Sequence, residues 1–359
     1  MISELLVGSS RIWVAILALY TCAMVYGLMS LNGDTSSRAG QVSTGLENVK
    51  TESVKDRLLY DYDPFLSSSE NVDPELSIKA LEHLPSDFPL SGGLAKPKPF
   101  LKAGNAKKNA TVVIGIPSIK RQGNDYLIST IESLLRHLTP EQKKETVFMI
   151  FLGESDTSYL DDRVQELQKR FPDESMSGSL EIISPPKSLY PDWSKTVRSS
   201  FGDTLERTKW RSKQNLDQIF LMMYIYHLNP KYYLMMEDDV MASREYMTKL
   251  LKAIESKKNR PWIYLSFCGL GAIGKLFRRR TLPLYASFIH SFWNAKPLDW
   301  LQVDFARSRI CSYDETEKTC FKRLKSVTPE AQPSLFQHIG KVSSLPGKIQ
   351  KLRDGRFRQ

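Results

Sequence analysis

Between Thr111 and Met236 the sequence alternates short, mostly apolar runs with longer stretches whose apolar residues recur at helical spacing, and few folds accept that alternation. Thr111–Pro117, Val147–Leu152, Leu180–Ile183 and Tyr232–Met236 have the length and composition of strands buried on both faces. Between them, Tyr126–Leu138 sets Leu127, Ile131, Leu134, Leu135 and Leu138 on one helical face, and Tyr159–Phe171 and Trp210–Leu228 also read as helices. Strands alternating with helices predict βαβ units, so the expected class is α/β, with a mostly parallel sheet flanked by helices. Sheets of that kind bind ligands outside the carboxyl ends of their strands, and chemistry is to be sought there.

The N-terminal third reads differently. Ile12–Leu31 is a run of 20 residues without a charge. At helical rise it spans about 30 Å, the thickness of a bilayer's hydrocarbon core. A cleaved signal peptide has a shorter core, usually about 7–15 residues, so a transmembrane signal anchor is the expectation for 12–31. Trp13 stands where an interfacial anchor would sit. Arg11 before the run and Asp34 after it lean towards a cytoplasmic tail over 1–11 and a lumenal remainder, where the sequon Asn109-Ala-Thr111 is usable. Residues 32–100 are polar and broken by Pro, Ser and Gly, a composition too poor in apolar surface to fold alone; they read as a disordered stem, with a short helix at Ser77–Leu84. The folded domain is then expected over 101–359.

The net charge of +10 invites a nucleic-acid reading, but no basic stripe interleaved with aromatic residues accompanies it. No nucleic-acid partner is expected; a basic enzyme acting on an anionic sugar nucleotide accounts for the charge equally well. Cys311 and Cys320 lack the second pair or nearby His of a zinc site. A short disulfide loop and two free thiols are the open alternatives, the first suited to an oxidising lumen.

The chemistry concentrates after the strand 232–236, where Glu237, Asp238 and Asp239 stand in a row. Strand propensity does not favour carboxylates there, and hard oxygen ligands at a strand end suit Mg²⁺ or Mn²⁺ bridging the phosphates of a nucleotide. The competing reading is a solvated acidic turn.

YYLMMEDDV resembles the metal-binding strand end of inverting glycosyltransferases of the GT-A fold. Further stretches, GIPSIKR (115–121), FLGESD (151–156), ISPPKSLYPD (183–192), FGDTLERTKWRSKQNLD (201–217), LGAIGKLF (270–277), KPLDWL (296–301) and PSLFQHIGKVSSLPGKIQKL (333–352), are similar to the N-acetylglucosaminyltransferase IV family, glycosyltransferase family 54. That resemblance implies a Golgi type II enzyme that transfers GlcNAc from UDP-GlcNAc, in β1,4 linkage, to the α1,3-mannose arm of N-glycans, using a divalent metal, Mn²⁺ rather than Mg²⁺. It implies Asp239 as metal ligand, with His338 at the C-terminal ligand position. Glu237 and Asp238 would hold ribose or shape the site, and Pro117, Ser118 and Arg121 would cradle uracil and phosphate. Asp299 in KPLDW is the candidate base; its alternative is the N-cap of a helix starting near Trp300. Lys275, Arg278 and the basic stretch 207–213 could neutralise the leaving group, or be solvated surface.

Three departures stand out. Ser266 occupies a position where the family usually has Glu, Val303 one where many members have Asp, and the lectin-like domain of long members does not follow the IQKL segment. The rival expectation is therefore a transferase-like Golgi protein that has lost activity and regulates another transferase by association.

Overall fold

The computed structural model describes residues 96–121, 125–345 and 349–359. The candidate anchor at 12–31, the stem to residue 95 and its short helix lie outside them. Among the described residues no helix is long and apolar enough to cross a membrane.

The main sheet holds β1 (Leu101–Ala103), β2 (Val112–Ser118), β3 (Thr146–Leu152), β4 (Leu180–Ser184), β5 (Tyr232–Met235), β7 (Leu265–Ser266) and β8 (Lys275–Arg278). Their order is β1-β4-β3-β2-β5-β8-β7. The central four, β4, β3, β2 and β5, run parallel, while β1, β8 and β7 join antiparallel at the edges. A second, two-stranded sheet pairs β6 (Val240–Ala242) with β9 (Phe336–His338). The longer helices are α1 (Leu127–Arg136), α2 (Thr157–Arg170), α3 (Leu205–Tyr226), α4 (Tyr246–Ser256), α5 (Leu282–Ser291), α6 (Leu298–Ile310) and α7 (Glu317–Val327).

The apolar runs are explained by the layers above and below them. Val113, Val147, Met149 and Phe151 face one cluster with α3, α5 and α6. Val112, Ile114, Ile116, Phe148, Ile150 and Leu152 face another with α1, α2 and α4. Both faces of β2 and β3 are therefore dry, and each such side chain contributes about 1.5–3 kcal/mol by leaving water. Gly115 is required where β2 passes β5, since a Cβ there would lie 2.7 Å from the Tyr233 ring.

Helix α3 begins at Leu205, five residues before the expected start. Thr204 caps it, its hydroxyl accepting from the Arg207 amide at 3.2 Å. The polar first turn, Glu206 to Lys209, hides this in the sequence, whereas from Asn215 to Tyr226 every residue is buried. Strands β1, β6, β8 and β9 had no sequence expectation. Cys311 and Cys320 form a disulfide between the end of α6 and α7.

Candidate functional site

Strands β2 and β5 lie side by side and parallel, so the segments leaving their carboxyl ends, Pro117–Arg121 and Glu237–Asp239, emerge together. The resulting cleft of about 370 Å³ is lined by both segments, by Leu270–Ile273, by α3 residues including Arg207, Arg211 and Asp217, and by Asp299, Trp300 and His338.

At the bottom of the cleft Asp238 is locked. The Arg121 guanidinium donates to both its oxygens, each at 2.5 Å, and the Ser118 hydroxyl donates to Oδ2 at 2.5 Å. Its backbone is held as well: the Thr130 hydroxyl donates to the Asp238 carbonyl at 2.8 Å and accepts from the Val240 amide at 2.9 Å. Burial pushes the Asp238 carboxyl upward in pKa, and the arginine fork and Ser118 oppose that push. Arg121 itself is raised, because its bonds and charge contacts to Asp238 and Asp239 outweigh its own burial. A bidentate guanidinium–carboxylate contact with a third donor is the arrangement in which a buried pair stays ionised. Arg121 and Ser118, expected to cradle the nucleotide, are thus committed to orienting the triplet, although both line the cleft.

Glu237 and Asp239 are arranged differently. His338 reaches the triplet because β9 pairs with β6, setting His338 opposite Val240, and the Ile339 amide donates to the Asp239 carbonyl at 2.8 Å. Its Nε2 lies 3.2 Å from Asp239 Oδ2. One ligand atom from each of Glu237, Asp239 and His338 lies within 4.8 Å of the others. The second oxygen of Asp239, Oδ1, is buried without a hydrogen-bond partner. An orphaned carboxylate oxygen beside a second carboxylate and an imidazole is a donor set that a divalent cation satisfies, and the residues present fit one. Gly340 belongs to this geometry, because a Cβ there would come within 2.1 Å of Asp239 Oδ2.

Charge crowding agrees. Burial, then the Asp239 charge, push Glu237 up to about 7. Burial pulls the His338 imidazole down, but the hydrogen bond and charge of Asp239, with Glu237, more than reverse this. A cation would relieve the repulsion.

Asp299 stands on another wall. It lies in the first turn of α6, whose N-cap is Pro297, so it is not the cap. The carboxylate is exposed and accepts from the Trp300 amide at 3.0 Å. The turn before it is fastened to α3, the Asn215 side-chain amide donating to the carbonyls of Trp293 at 2.7 Å and Lys296 at 2.9 Å.

The two substituted positions fall away from this machinery. Ser266 is buried; its hydroxyl accepts from the Lys275 ammonium at 2.8 Å, and Lys275 also donates to the Cys268 carbonyl at 2.6 Å. Neither Ser266 nor the exposed Val303 lines the cleft. Lys275 is likewise off the cleft, and Arg278 stacks 3.5 Å from the Trp262 ring centroid. Of the basic stretch, Arg207 and Arg211 line the cleft, while Lys213 pairs with Asp217 at 2.7 Å.

Sequence reasoning missed Thr130, Gly340 and the buried Asp217, which also accepts from the Tyr190 hydroxyl at 2.6 Å. Trp300 is marked in the sequence only as the neighbour of Asp299, and Gly340 only by its place two residues after His338.

Comparison with known proteins follows the same outline. The chain matches the MGAT4 conserved region over residues 77–357. It is 40% identical over 272 residues to the bovine (Bos taurus) alpha-1,3-mannosyl-glycoprotein 4-beta-N-acetylglucosaminyltransferase A, covering 76% of this chain and 50% of that protein. To the B enzyme of Danio rerio it is 39% identical over 292 residues, covering 81% and 52%. The chain therefore spans roughly half the length of these curated relatives. Among solved structures, Staphylococcus aureus TarS 1–349 in complex with UDP-GlcNAc aligns over 60% of this chain and 70% of that one, with TM-score 0.32 and 10% identity, too loose a likeness to build on. The match over most of the chain and the identity to both enzymes establish that this chain belongs to the MGAT4 family of N-acetylglucosaminyltransferases.

Proposed function

We propose that the chain is an inverting, metal-dependent glycosyltransferase that moves GlcNAc from UDP-GlcNAc, in β1,4 linkage, to the α1,3-mannose arm of N-glycans. The observation that carries the proposal is the grouping of Glu237, Asp239 and His338, with a buried, unpartnered Asp239 oxygen, in one cleft with the exposed carboxylate of Asp299. Family membership supports it, since the curated relatives carry that activity in their names.

Glu237, Asp239 and His338 would hold the cation, and an imidazole nitrogen beside two carboxylates favours Mn²⁺ over Mg²⁺, which prefers an all-oxygen shell. A divalent ion there supplies charge stabilisation to the departing diphosphate. Asp238, Arg121, Ser118 and Thr130 keep the triplet in place. Asp299 takes the proton of the acceptor hydroxyl as that oxygen bonds to C1 of the sugar. The C1–O bond to the β-phosphate breaks on the opposite face, and its electron pair leaves with UDP. Pro117 and Leu270–Ile273, on the cleft walls, are left to receive the nucleotide and sugar.

The same reading makes the chain a Golgi type II membrane protein with its catalytic domain lumenal; the uncharged run at 12–31 supports it. Glycan release that shifts the mass of the peptide carrying Asn109 would support lumenal exposure, since that side chain is exposed. An unmodified Asn109 together with a protease-accessible C-terminus on the cytoplasmic side of sealed vesicles would refute it.

The activity test incubates the full chain with UDP-GlcNAc, Mn²⁺ and a biantennary N-glycan, following the glycan by mass spectrometry with Asp239→Ala as control. One added HexNAc that vanishes in the control is the expected result. No addition from a protein that still binds UDP would leave the associating, inactive reading in its place, and no UDP binding would sink transfer altogether.

A further inference from the structure

Large aromatic side chains are ordinarily withdrawn from water, and Phe201 and Trp300 are among the described ones that are not. Phe201 keeps 56% of its surface exposed and Trp300 keeps 49%. They are in contact, edge to face, with ring centroids 5.1 Å apart. They come from segments about a hundred residues apart and from different elements, so neither is a stray on an otherwise polar helix; an exposed apolar pair of this kind marks a contact site.

Three features tie the pair to the cleft. Trp300 lines it, and is the immediate neighbour of Asp299. Phe201 adopts φ 58°, a left-handed backbone that a bulky L-residue rarely occupies, followed by Gly202 at φ 71°. Such strain persists only where the surroundings impose it, and here the imposed conformation sets a ring in solvent rather than in a core. Beneath Phe201 lies Arg211, its guanidinium carbon 5.7 Å from the ring centroid. Arg211 is 2% exposed, lines the cleft, and has a buried Nη1 without a hydrogen-bond partner. An unsatisfied buried donor below an exposed aromatic surface calls for an acceptor atom brought by a ligand.

A pyranose has that chemistry: its C–H face is apolar and packs on aromatic rings, while its rim of oxygens accepts hydrogen bonds. We propose that Phe201 and Trp300 form the platform on which an acceptor pyranose lies, with Arg211 receiving one of its oxygens, so that a ring hydroxyl is presented to Asp299. The proposal rests on the transfer reading and supplies what the metal end of the cleft does not, a specific surface for the sugar that receives.

The test measures glycan binding separately from donor binding. The full chain with UDP and Mn²⁺ is titrated with a biantennary N-glycan by saturation-transfer NMR, and UDP affinity is measured by calorimetry. Phe201→Ala and Trp300→Ala are each expected to weaken glycan binding about tenfold or more, with UDP affinity unchanged. Phe201→Tyr and Trp300→Phe, which keep a ring, should stay within about threefold of the parent. Saturation should fall on the C–H protons of one pyranose face. Alanine variants that bind glycan as the parent does would overturn the platform, and would do so even if transfer is intact. If an alanine variant also loses UDP, recovery of glycan binding in the ring-keeping variant supports the platform and failure to recover overturns it. Parent protein that binds glycan through these rings yet transfers nothing would sink the transfer reading and leave the platform standing.

Discussion

The floor of the cleft and its rim are built on opposite principles. At the floor, Asp238 is 3% exposed and Asp239 5%, and Asp238 is held by Ser118 of β2, Thr130 of α1 and the Arg121 guanidinium. At the rim, Asp299, Trp300 and Phe201 are exposed, and what holds them is remote: Asn215 on α3 fastens the turn before α6. Low dielectric at the floor makes each charge contact strong and each lost partner costly. Solvent at the rim makes the same residue types cheap to change in stability terms, and the proposed base stands there. Burial fixes the floor, and exposure leaves the rim open to what comes from solvent.

That contrast can be broken by experiment. The largest effect should come from Asp299→Asn: transfer falling on the order of 10²–10⁴-fold with melting temperature and UDP affinity unmoved, since the change removes a base from solvent. A matching loss of stability would show that Asp299 is structural. Arg121→Ala should do the reverse. Leaving Asp238 buried without its partner should lower stability by about 3–5 kcal/mol, read as a shifted denaturation midpoint, and a midpoint that stays put would mean the floor is not electrostatically locked. Thr130→Val strands the Asp238 carbonyl and the Val240 amide, and should cost about 1–3 kcal/mol for the pair in the same assay.

The smallest effect is one of pH. Glu237, pushed up to about 7, must lose its proton to ligate, and His338, also shifted up, must be neutral to do so. Protons therefore compete with the cation, and Mn²⁺ affinity should fall as pH drops below about 7, by up to about tenfold per pH unit where one of the two groups carries a proton and up to about a hundredfold where both do. Calorimetric titration across that range checks the slope. A flat profile would place the metal elsewhere.

How much of this was legible in the sequence follows from what each part depends on. The runs at Thr111, Val147, Leu180 and Tyr232 announced buried strands because both their faces are dry, and the triplet's place at a strand end followed from them. The expected helices appeared with shifted ends. Asp238's partners were not readable as partners, since Ser118 and Arg121 meet it only because β2 and β5 are neighbours, an order that local patterns do not encode. His338 was found by resemblance; its strand, Phe336–His338, is too short to show any period. Phe201 and Trp300 were opaque for a different reason. Apolar residue type predicts burial, and what distinguishes these two is that they are not buried.

The pairing of β6 with β9 has a consequence for how the protein comes into being. Asp239 and His338 are separated by about a hundred residues, and the loop between them must close before the imidazole meets the carboxylate. During synthesis the triplet exists long before its third ligand is made, so a cation has no complete site on a partly made chain and cannot template the early fold. If the proposed site takes a cation, its capture is then a late event, one that reports that the last strand has docked.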